Sequence, residues 1–187
     1  MDKRVEKILL SQKQIELGIT KLAKQLNKKF AKKVPLMIGI CSGAVPFFSN
    51  LSLHLTFDHE YEFIKCQTYE GTKQVNDVTI FWHKERTVKG RDIILVDDIF
   101  DTGKTINAVK KALKTQGAKS VTTVTLLDKV GSHPKTLKPD YSCFKIPTCW
   151  VVGYGLDTDG MMRNFPYVGV LRKDLQEEYS KPKGKKC

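Results

Sequence analysis

The sequence predicts an α/β fold, with a twisted and mostly parallel sheet flanked by helices. Short apolar runs alternate with segments of helical periodicity through the middle of the chain, which is typical of βαβ units. The run Ile93–Val96 is apolar at every position, as expected of a strand buried on both faces of a parallel sheet. The chain has 187 residues, 41% of them hydrophobic, so we expect residues 1–187 to form a single domain around one sizeable core.

The first helix has the clearest boundaries. Ser11 and Gln14 have the spacing of a capping box, which marks a helix start. An apolar stripe at helical spacing follows, with lysines on the opposite face. Its members are Ile15, Ile19, Leu22, Leu26 and Phe30. This stripe predicts a helix that packs one face against the sheet.

The remaining elements alternate along the chain. We expect a second helix over 44–57, with Pro46 early in it, and a third that begins at Ile106 and stops near Gly117. Apolar and β-branched runs predict further strands. These lie near 36–40, 61–66, 78–82, 121–127, 149–154 and 167–171.

The end of the apolar strand at Val96 has the most informative chemistry. The carboxylates Asp97, Asp98 and Asp101 crowd there, and the turn Thr102–Thr105 follows them. That turn consists of threonine, glycine, lysine and threonine. Free N–H groups at a helix start, hydroxyls and the Lys104 ammonium suit a phosphate dianion, and Gly103 lets the main chain approach it closely. The segment therefore predicts a phosphosugar site at the carboxyl end of a strand.

Carboxylates repel a phosphate, so the three acids need another role. They can accept hydrogen bonds from sugar hydroxyls, hold a divalent metal or take a proton. A plainer alternative treats Asp101 as a helix N-cap and Asp97 and Asp98 as a solvated turn. Two other phosphate motifs are absent. Asp98 occupies the position of the first Walker A glycine, and Thr158 stands where a dinucleotide fingerprint starting at Gly153 needs its third glycine.

The segment 94–105, Ile-Leu-Val-Asp-Asp-Ile-Phe-Asp-Thr-Gly-Lys-Thr, resembles the phosphoribosyl diphosphate motif of the type I phosphoribosyltransferases. Segments 126–129, 146–157 and 165–169 narrow the resemblance to the hypoxanthine-guanine phosphoribosyltransferases, over about 36–171. The resemblance implies the type I phosphoribosyltransferase fold, in which the two ends of the chain associate as a small hood over the sheet edge.

The resemblance also implies site roles. Residues Thr102, Gly103, Lys104 and Thr105 would bind the 5′-phosphate of the donor, and Asp97 and Asp98 its ribose hydroxyls, near Mg²⁺. Asp101 would exchange a proton with the purine. The base would be bound by Lys129 at the 6-oxo group, Trp150 by stacking, and the Val151 backbone at the 2-position. Asp157, at the edge of the base site, and Arg163 would handle a second metal and the diphosphate. The implied metal ligands are Asp97, Asp98 and Asp157.

Several of these residues have plainer interpretations. Lys129 could be an ordinary strand-end lysine, and Trp150 could be core packing. Asp157, with Asp159, could merely shape a turn. The order and spacing of these residues relative to the phosphate turn favour the functional interpretation.

The chain departs from the family pattern in two places. Cys41 and Ser42 stand where the family's diphosphate loop carries Leu-Lys, which leaves the main chain at Ser42 and Gly43 to bind diphosphate at a helix start. The replacement also makes the family's cis peptide before Ser42 doubtful. Thr68 and Tyr69 replace the Ser-Tyr pair that opens the family's mobile lid, which we expect over 69–80.

The composition indicates where the protein is located and which partners it is expected to lack. The sequence has no apolar run of eighteen residues and no signal-peptide core, so we expect a cytoplasmic protein without a membrane span. Its five cysteines are odd in number and lack C-x-x-C spacing, which suits reduced thiols. The net charge of +12 comes from dispersed lysines, and residues 179–187 are expected to form a flexible basic tail. A dedicated nucleic-acid groove is disfavoured.

Two hypotheses of different classes follow. The first is an Mg²⁺-dependent purine salvage enzyme that transfers the phosphoribosyl group from phosphoribosyl diphosphate to N9 of hypoxanthine, guanine or xanthine. The second is a regulator that keeps the fold but binds nucleic acid without turnover. Lys129, Asp157 and Arg163 favour the enzyme, because a sensor does not need a purine pocket and diphosphate machinery together. The family leads us to expect a homodimer or homotetramer.

Overall fold

The structure is a computed structural model that describes residues 1–68, 78–81 and 87–180. The described elements, in chain order, are β1 (Val5–Leu10), α1 (Gln12–Phe30), β2 (Leu36–Cys41), α2 (Val45–Leu53), β3 (Glu60–Thr68), β4 (Val78–Phe81), β5 (Asp92–Phe100), α3 (Lys104–Thr115), β6 (Ser120–Lys129), β7 (Tyr141–Ile146), β8 (Val151–Val152), β9 (Val168–Leu171) and α4 (Lys173–Ser180).

A six-stranded sheet forms the centre of the molecule, in the order β4-β3-β2-β5-β6-β7. Five neighbouring strands, β3, β2, β5, β6 and β7, run parallel to one another. Strand β4 lies at one edge and is antiparallel to β3. The predicted α/β class with a mostly parallel sheet is confirmed. Such a sheet places the carboxyl ends of β2, β5 and β6 along one edge, where a ligand site is expected.

Helices cover both faces of the sheet because side chains alternate along the buried strands. In β5, Ile94 and Val96 belong to the cluster that includes the apolar stripe of α1 and the phenylalanines of α2. Ile93 and Leu95 belong to the cluster that includes Ile106 and the rest of the buried face of α3. The continuous apolar run is therefore buried on both sides, as its sequence predicted.

The capping box of α1 is present. The Ser11 hydroxyl accepts from the Gln14 N–H, and the Gln14 side chain accepts from the Ser11 N–H. The second helix is shorter than predicted and ends at Leu53, since the N–H groups of His54 and Leu55 donate to the Leu51 and Ser52 carbonyls and close the helix end. Phe57 lies beyond that end and packs on Phe30, with ring centroids 5.5 Å apart.

A second sheet with three antiparallel strands, β1-β9-β8, brings the two ends of the chain together. This is the predicted small hood. Strand β8 covers only two residues of the predicted strand 149–154, because Gly153, with φ of +94°, starts a tight turn. The hood carries Trp150 and the turn after β8, and through them it builds one wall of the site described below.

Strands β1 and β7 and helix α4 were not predicted. Residues of β1 are mostly polar or exposed, and four of the six residues of β7 are only partly buried, so neither sequence shows a strong two-residue period. None of the eight residues of α4 is buried, and its apolar stripe is weak. The basic tail was predicted to begin at Tyr179, but Tyr179 and Ser180 are the last two residues of α4. The rest of the predicted tail, residues 181–187, lies outside the described part of the chain.

Across the described ranges, no helix combines the length and the apolar character that crossing a bilayer requires.

Candidate active site

Two neighbouring cavities open at the carboxyl edge of the central sheet. The first, the phosphate-side cavity, has a volume of about 290 Å³ and lies between the loop after β2 and the start of α3. The second, the hood-side cavity, has a volume of about 670 Å³ and lies under Trp150 and the hood. The residues common to both walls are Asp98, Ile99, Asp101 and Asp157. The two cavities therefore form one continuous site, and Asp101 stands where they meet.

The turn before α3 presents main-chain donors to the phosphate-side cavity. Gly103 is the N-cap of α3 and has φ of +75°, a conformation that glycine adopts at little cost. A Cβ at this position would also come within 2.6 Å of the Phe100 ring. The N-cap residue Gly103 has no side chain to cap the helix start. The Lys104 N–H donates to the Thr102 hydroxyl at 3.4 Å, and the other N–H groups of the first turn remain available to an anion. The predicted phosphate cup at Thr102–Thr105 therefore has the required geometry.

Asp97 and Asp98 belong to β5 itself and do not follow it. The strand was predicted to end at Val96, but its pairing with β6 continues to Phe100 opposite Asp128. Burial and the neighbouring Asp98 charge raise the pKa of Asp97 well above its usual value. Burial also raises the pKa of Asp98, against the lowering effect of hydrogen bonds and of the Arg163 charge. Adjacent carboxylates, one buried and one partly buried, are costly without a cation or donor ligand.

Asp101 pairs with Lys129 across the junction of the two cavities. Lys129 Nζ donates to Asp101 Oδ2 at 2.7 Å. The Lys129 side chain is 13% exposed, so it is not an ordinary solvated strand-end lysine. Asp101 does not cap α3, because Gly103 holds that position. Both plainer alternatives are therefore wrong, and the pair lies at the centre of the site.

Asp157 joins the turn after β8 to Arg163. One carboxylate oxygen pairs with Arg163 Nη2 at 2.8 Å, and the other accepts from the Gly160 N–H at 2.6 Å. Arg163 Nη1 also donates to the Gly155 carbonyl at 2.6 Å. Asp157 does shape a turn, as its plainer interpretation held. It also fixes the guanidinium in the wall of the phosphate-side cavity.

Trp150 forms part of the hood-side cavity and is only partly buried, so it is not simply core packing. Its indole Nε1 donates to the Thr158 hydroxyl at 2.9 Å. Val151, the first residue of β8, lies beside it in the same wall and is buried. The predicted base-binding residues therefore share one cavity with Lys129.

The loop after β2 completes the phosphate-side cavity with Ser42 and Gly43. The peptide bond between Cys41 and Ser42 is cis, so the feature that the replacement of Leu-Lys had made doubtful is present. The nearest neighbour of a Cβ at Gly43 would be the Asp98 carboxylate. A residue without a side chain is required there because the loop backbone approaches the end of β5 closely.

The predicted lid falls largely outside the described residues. Thr68 is the last residue of β3, and Tyr69 begins the segment 69–77 that the structure does not describe. Residues 78–80 belong to β4 and to the sheet edge. The lid role of Thr68 and Tyr69 stays a prediction.

Sequence reasoning missed several residues of these walls. Cys66 lines the phosphate-side cavity, and Cys149 and Gln176 line the hood-side cavity. Burial raises the pKa of Cys66 to about 11 and also raises that of Cys149, so neither thiol is a nucleophile at neutral pH. Gln176 lies on α4, a helix that was not predicted because its apolar stripe is weak. Thr158 was passed over because nothing in the sequence links it to Trp150.

The oxygen ligands of the phosphate-side cavity suit a hard divalent cation. Within residues 1–68, 78–81 and 87–180, no group of three or more His, Cys, Asp or Glu side chains could hold a metal ion by itself. Mg²⁺ sites commonly use one or two carboxylates, and substrate phosphates and water complete them. Asp97 and Asp98 fit that pattern, because these two carboxylates, one buried and one partly buried, lie in the wall of a site that also suits phosphates.

The comparisons with known proteins agree with this geometry. The family described as phosphoribosyl transferase domain matches residues 6–159, most of the chain. The chain belongs to this family. The hypoxanthine-guanine phosphoribosyltransferase of Lactococcus lactis is 42% identical over 176 residues, 94% of this chain and 96% of that protein. The predicted resemblance to the type I phosphoribosyltransferases is therefore confirmed.

Solved structures of family members show the same fold. A hypoxanthine phosphoribosyltransferase from Staphylococcus aureus superposes with a TM-score of 0.86 at 29% identity and covers 92% of this chain and 94% of its own. The hypoxanthine phosphoribosyl transferase of Trypanosoma cruzi superposes with a TM-score of 0.88 at 26% identity, over 95% of this chain and 97% of its own. The central sheet and the hood are thus those of the phosphoribosyltransferase family.

Proposed function

We propose that this protein is a purine salvage enzyme that acts on phosphoribosyl diphosphate and a 6-oxopurine. It transfers the 5-phosphoribosyl group to N9 of hypoxanthine or guanine, with xanthine as a third candidate, and releases diphosphate. The observation that carries this proposal is the junction of two cavities at Asp101, one built for phosphate and one with a lysine and an indole in its wall. Relatives named hypoxanthine-guanine phosphoribosyltransferase support the choice of base.

The phosphate-side cavity binds the donor. The turn Thr102–Thr105 takes the 5′-phosphate through N–H groups of the α3 start, two hydroxyls and Lys104. Ser42, Gly43 and the Arg163 guanidinium bind the diphosphate, which needs compensating donors and positive charge as it leaves. The carboxylates of Asp97 and Asp98 accept from the ribose hydroxyls.

The hood-side cavity binds the base. Lys129 donates to the 6-oxo group, and this donor selects oxopurines over aminopurines because a 6-amino group is not a comparable acceptor. Trp150 stacks on the purine face, and the main chain at Val151 faces the 2-position. Asp157 stands at the edge of the base where the two cavities meet.

The chemistry is a substitution at the anomeric carbon. N9 of the base forms the new bond to C1′, the C1′–oxygen bond breaks, and the diphosphate departs with the electron pair. The purine loses one N–H proton, and Asp101 accepts it as general base. The Lys129 ammonium, 2.7 Å from Asp101, holds this carboxylate at the junction and can donate to the base at the same time. Binding in adjoining cavities aligns N9 and C1′.

Mg²⁺ is the proposed cofactor. Asp97 and Asp98 would lie beside one ion and Asp157 beside a second, and oxygens of the donor diphosphate would supply further ligands. When bound, Mg²⁺ would neutralise charge on the diphosphate and so improve the leaving group. The adjacent carboxylates near the end of β5 support this proposal, because burial and mutual repulsion disfavour their charged forms unless a cation lies beside them.

Three further properties belong to the same proposal. Residues 1–187 form a single domain in a cytoplasmic protein, and the free thiols of Cys41, Cys66, Cys143 and Cys149 support a reducing compartment. The chain assembles as a homodimer or homotetramer. In support, the Trypanosoma cruzi relative was studied for the role of its C-terminal region on oligomeric state and enzymatic activity. Light scattering of the purified protein measures the assembly directly.

A direct assay tests the activity. Purified protein, Mg²⁺ and phosphoribosyl diphosphate are mixed with hypoxanthine, guanine, xanthine or adenine, and nucleotide and diphosphate are quantified separately. We expect both products in equal amounts with hypoxanthine or guanine, none with adenine, and a loss of activity when a chelator removes Mg²⁺. Absence of nucleotide with every oxopurine at micromolar enzyme would contradict the proposal and favour a ligand-sensing regulator.

A further inference from the structure

Trp150 lines the hood-side cavity, and the polar edge of its indole is anchored. The indole N–H is a donor only, and it reaches the Thr158 hydroxyl at 2.9 Å. Thr158 is 4% exposed, so water does not compete effectively for this hydrogen bond. A buried side-chain hydrogen bond of this kind fixes the plane of an aromatic ring that packing alone would leave freer.

The anchor belongs to the same turn as the diphosphate machinery. Main-chain hydrogen bonds join Thr158 and Met161 in both directions, at 3.2 and 3.1 Å, and close the turn. The carboxylate of Asp157, the residue before this turn, accepts from the Gly160 N–H and pairs with Arg163 through its other oxygen. The main chain of Thr158 is therefore fixed by contacts that do not depend on Trp150.

We propose that Thr158 is a positioning residue for the base: through its hydroxyl it sets the orientation of Trp150 for stacking and links that orientation to the turn of Asp157. The inference rests on the proposed function, because it assigns a task to the wall of the base site. Thr158 lies in the wall of neither cavity, so it acts through the indole. Its effect is confined to the base, whereas Asp157 and Arg163 act on the diphosphate.

The test compares variants at Thr158. Thr158→Val keeps the shape and removes the hydroxyl, and we expect the KM for hypoxanthine to rise about three- to tenfold, the range of one net hydrogen bond. The KM for phosphoribosyl diphosphate should stay within about twofold, because the turn is closed by backbone bonds. Thr158→Ser keeps the hydroxyl and should restore a KM for hypoxanthine close to that of the wild type.

A double-mutant cycle separates positioning from a general structural effect. In a Trp150→Phe background the ring has no N–H donor, so Thr158→Val should have little further effect on the KM for hypoxanthine. Thr125→Val is a matched control, since Thr125 is buried and its hydroxyl has no hydrogen-bond partner among the residues that the structure describes. That variant should leave both KM values unchanged.

The outcomes are distinct. If the wild type is active and folded Thr158→Val has an unchanged KM for hypoxanthine, this inference alone is overturned. It is also overturned if Thr158→Val raises the KM for hypoxanthine as much in the Trp150→Phe background as in the wild type. Equal rises in both KM values indicate a general distortion of the turn and overturn it too. A wild type without turnover overturns both this inference and the proposed function. If Thr158→Val does not fold, Thr158→Ala and Thr158→Ser form the pair, because both lack the methyl group and differ in the hydroxyl.

Discussion

The two halves of the site are built in different ways. The phosphate cup is one continuous stretch, Thr102–Thr105, at the junction of a strand and a helix. The base wall is assembled from segments far apart in the chain: the end of β6, the hood around Trp150 and the helix α4 that carries Gln176. The cup therefore depends mainly on local backbone conformation, whereas the base wall depends on how the hood sits on the sheet.

This difference separates general from specific recognition. A helix start binds a phosphate whatever the rest of the ligand is, because it offers main-chain donors. A base has to be read by side chains placed on several sides of it, and tertiary packing alone can bring Lys129 and Trp150 together. Substitutions can thus be designed to affect one half and leave the other intact.

The largest effect is expected at Asp101, where the halves meet. Asp101→Asn should lower kcat about a hundredfold or more, because the amide cannot accept the purine proton. The affinity for phosphoribosyl diphosphate, measured by calorimetry, should change little. Asp58→Asn makes the same charge change at an exposed position and should leave turnover intact. An Asp101→Asn variant as active as the wild type would remove this residue from the chemistry.

Lys129 tests the base wall alone. Lys129→Ala removes a charged donor that is largely buried, and we expect the KM for hypoxanthine to rise about tenfold or more while the KM for the donor stays nearly constant. Steady-state kinetics with each substrate varied in turn measures both. The exposed Lys111→Ala serves as control. Comparable rises in the two KM values would show that the halves are not separable at this residue.

Gly103 tests the phosphate cup alone. Gly103→Ala should raise the KM for phosphoribosyl diphosphate about fivefold and lower stability by about 2 kcal/mol, since φ is +75° and the added Cβ meets the buried Phe100 ring. Gly90→Ala is a matched control, because φ there is +74° and a Cβ would meet nothing within 4 Å. Thermal melts of the two variants separate backbone strain from loss of the cup. An unchanged donor KM in Gly103→Ala would contradict the geometry.

The smallest effect is expected at His133, which supports the phosphate cup by packing against Phe100. His133 lies edge-on to Phe100, with ring centroids 4.8 Å apart, and its Nε2 is 2.8 Å from Asp128 Oδ1. Burial disfavours the charged imidazole, but the hydrogen bonds to Asp128 and to the Pro134 carbonyl outweigh it and raise the pKa of His133.

Because the pKa of His133 is raised in the folded state, the contribution of the protonated His133 and its hydrogen bonds to stability is fully present at pH values below the ordinary histidine pKa. It is lost as pH rises through the pKa of the folded protein. The Tm difference between wild type and His133→Gln should therefore be larger near about pH 6 than near about pH 8.5. Asp128→Asn should flatten this dependence. A difference that grows with pH would reverse the sign of the assignment.

Local sequence patterns predicted the elements whose physics is local. The capping box at Ser11, the apolar stripe of α1, the doubly buried run Ile93–Val96 and the glycine turn at Gly103 all have the expected structure. In each case the residues that define the feature are close in sequence. Strands β1 and β7 and helix α4 escaped prediction because they bury little surface of their own, and long-range pairing or packing defines them.

The sequence by itself determined the strand-to-helix turn at Thr102–Thr105, the parallel core and the identity of the acids beside them, because the conformation of a helix start and the burial of an apolar strand are decided within a dozen residues. Only the tertiary structure decided that Lys129 pairs with Asp101, that Thr158 anchors Trp150 and that Gln176 reaches the base wall. These contacts depend on elements that come together only in the folded chain. Strand pairing brings Lys129 to Asp101, the turn after β8 brings Thr158 to Trp150, and the packing of α4 brings Gln176 to the base wall.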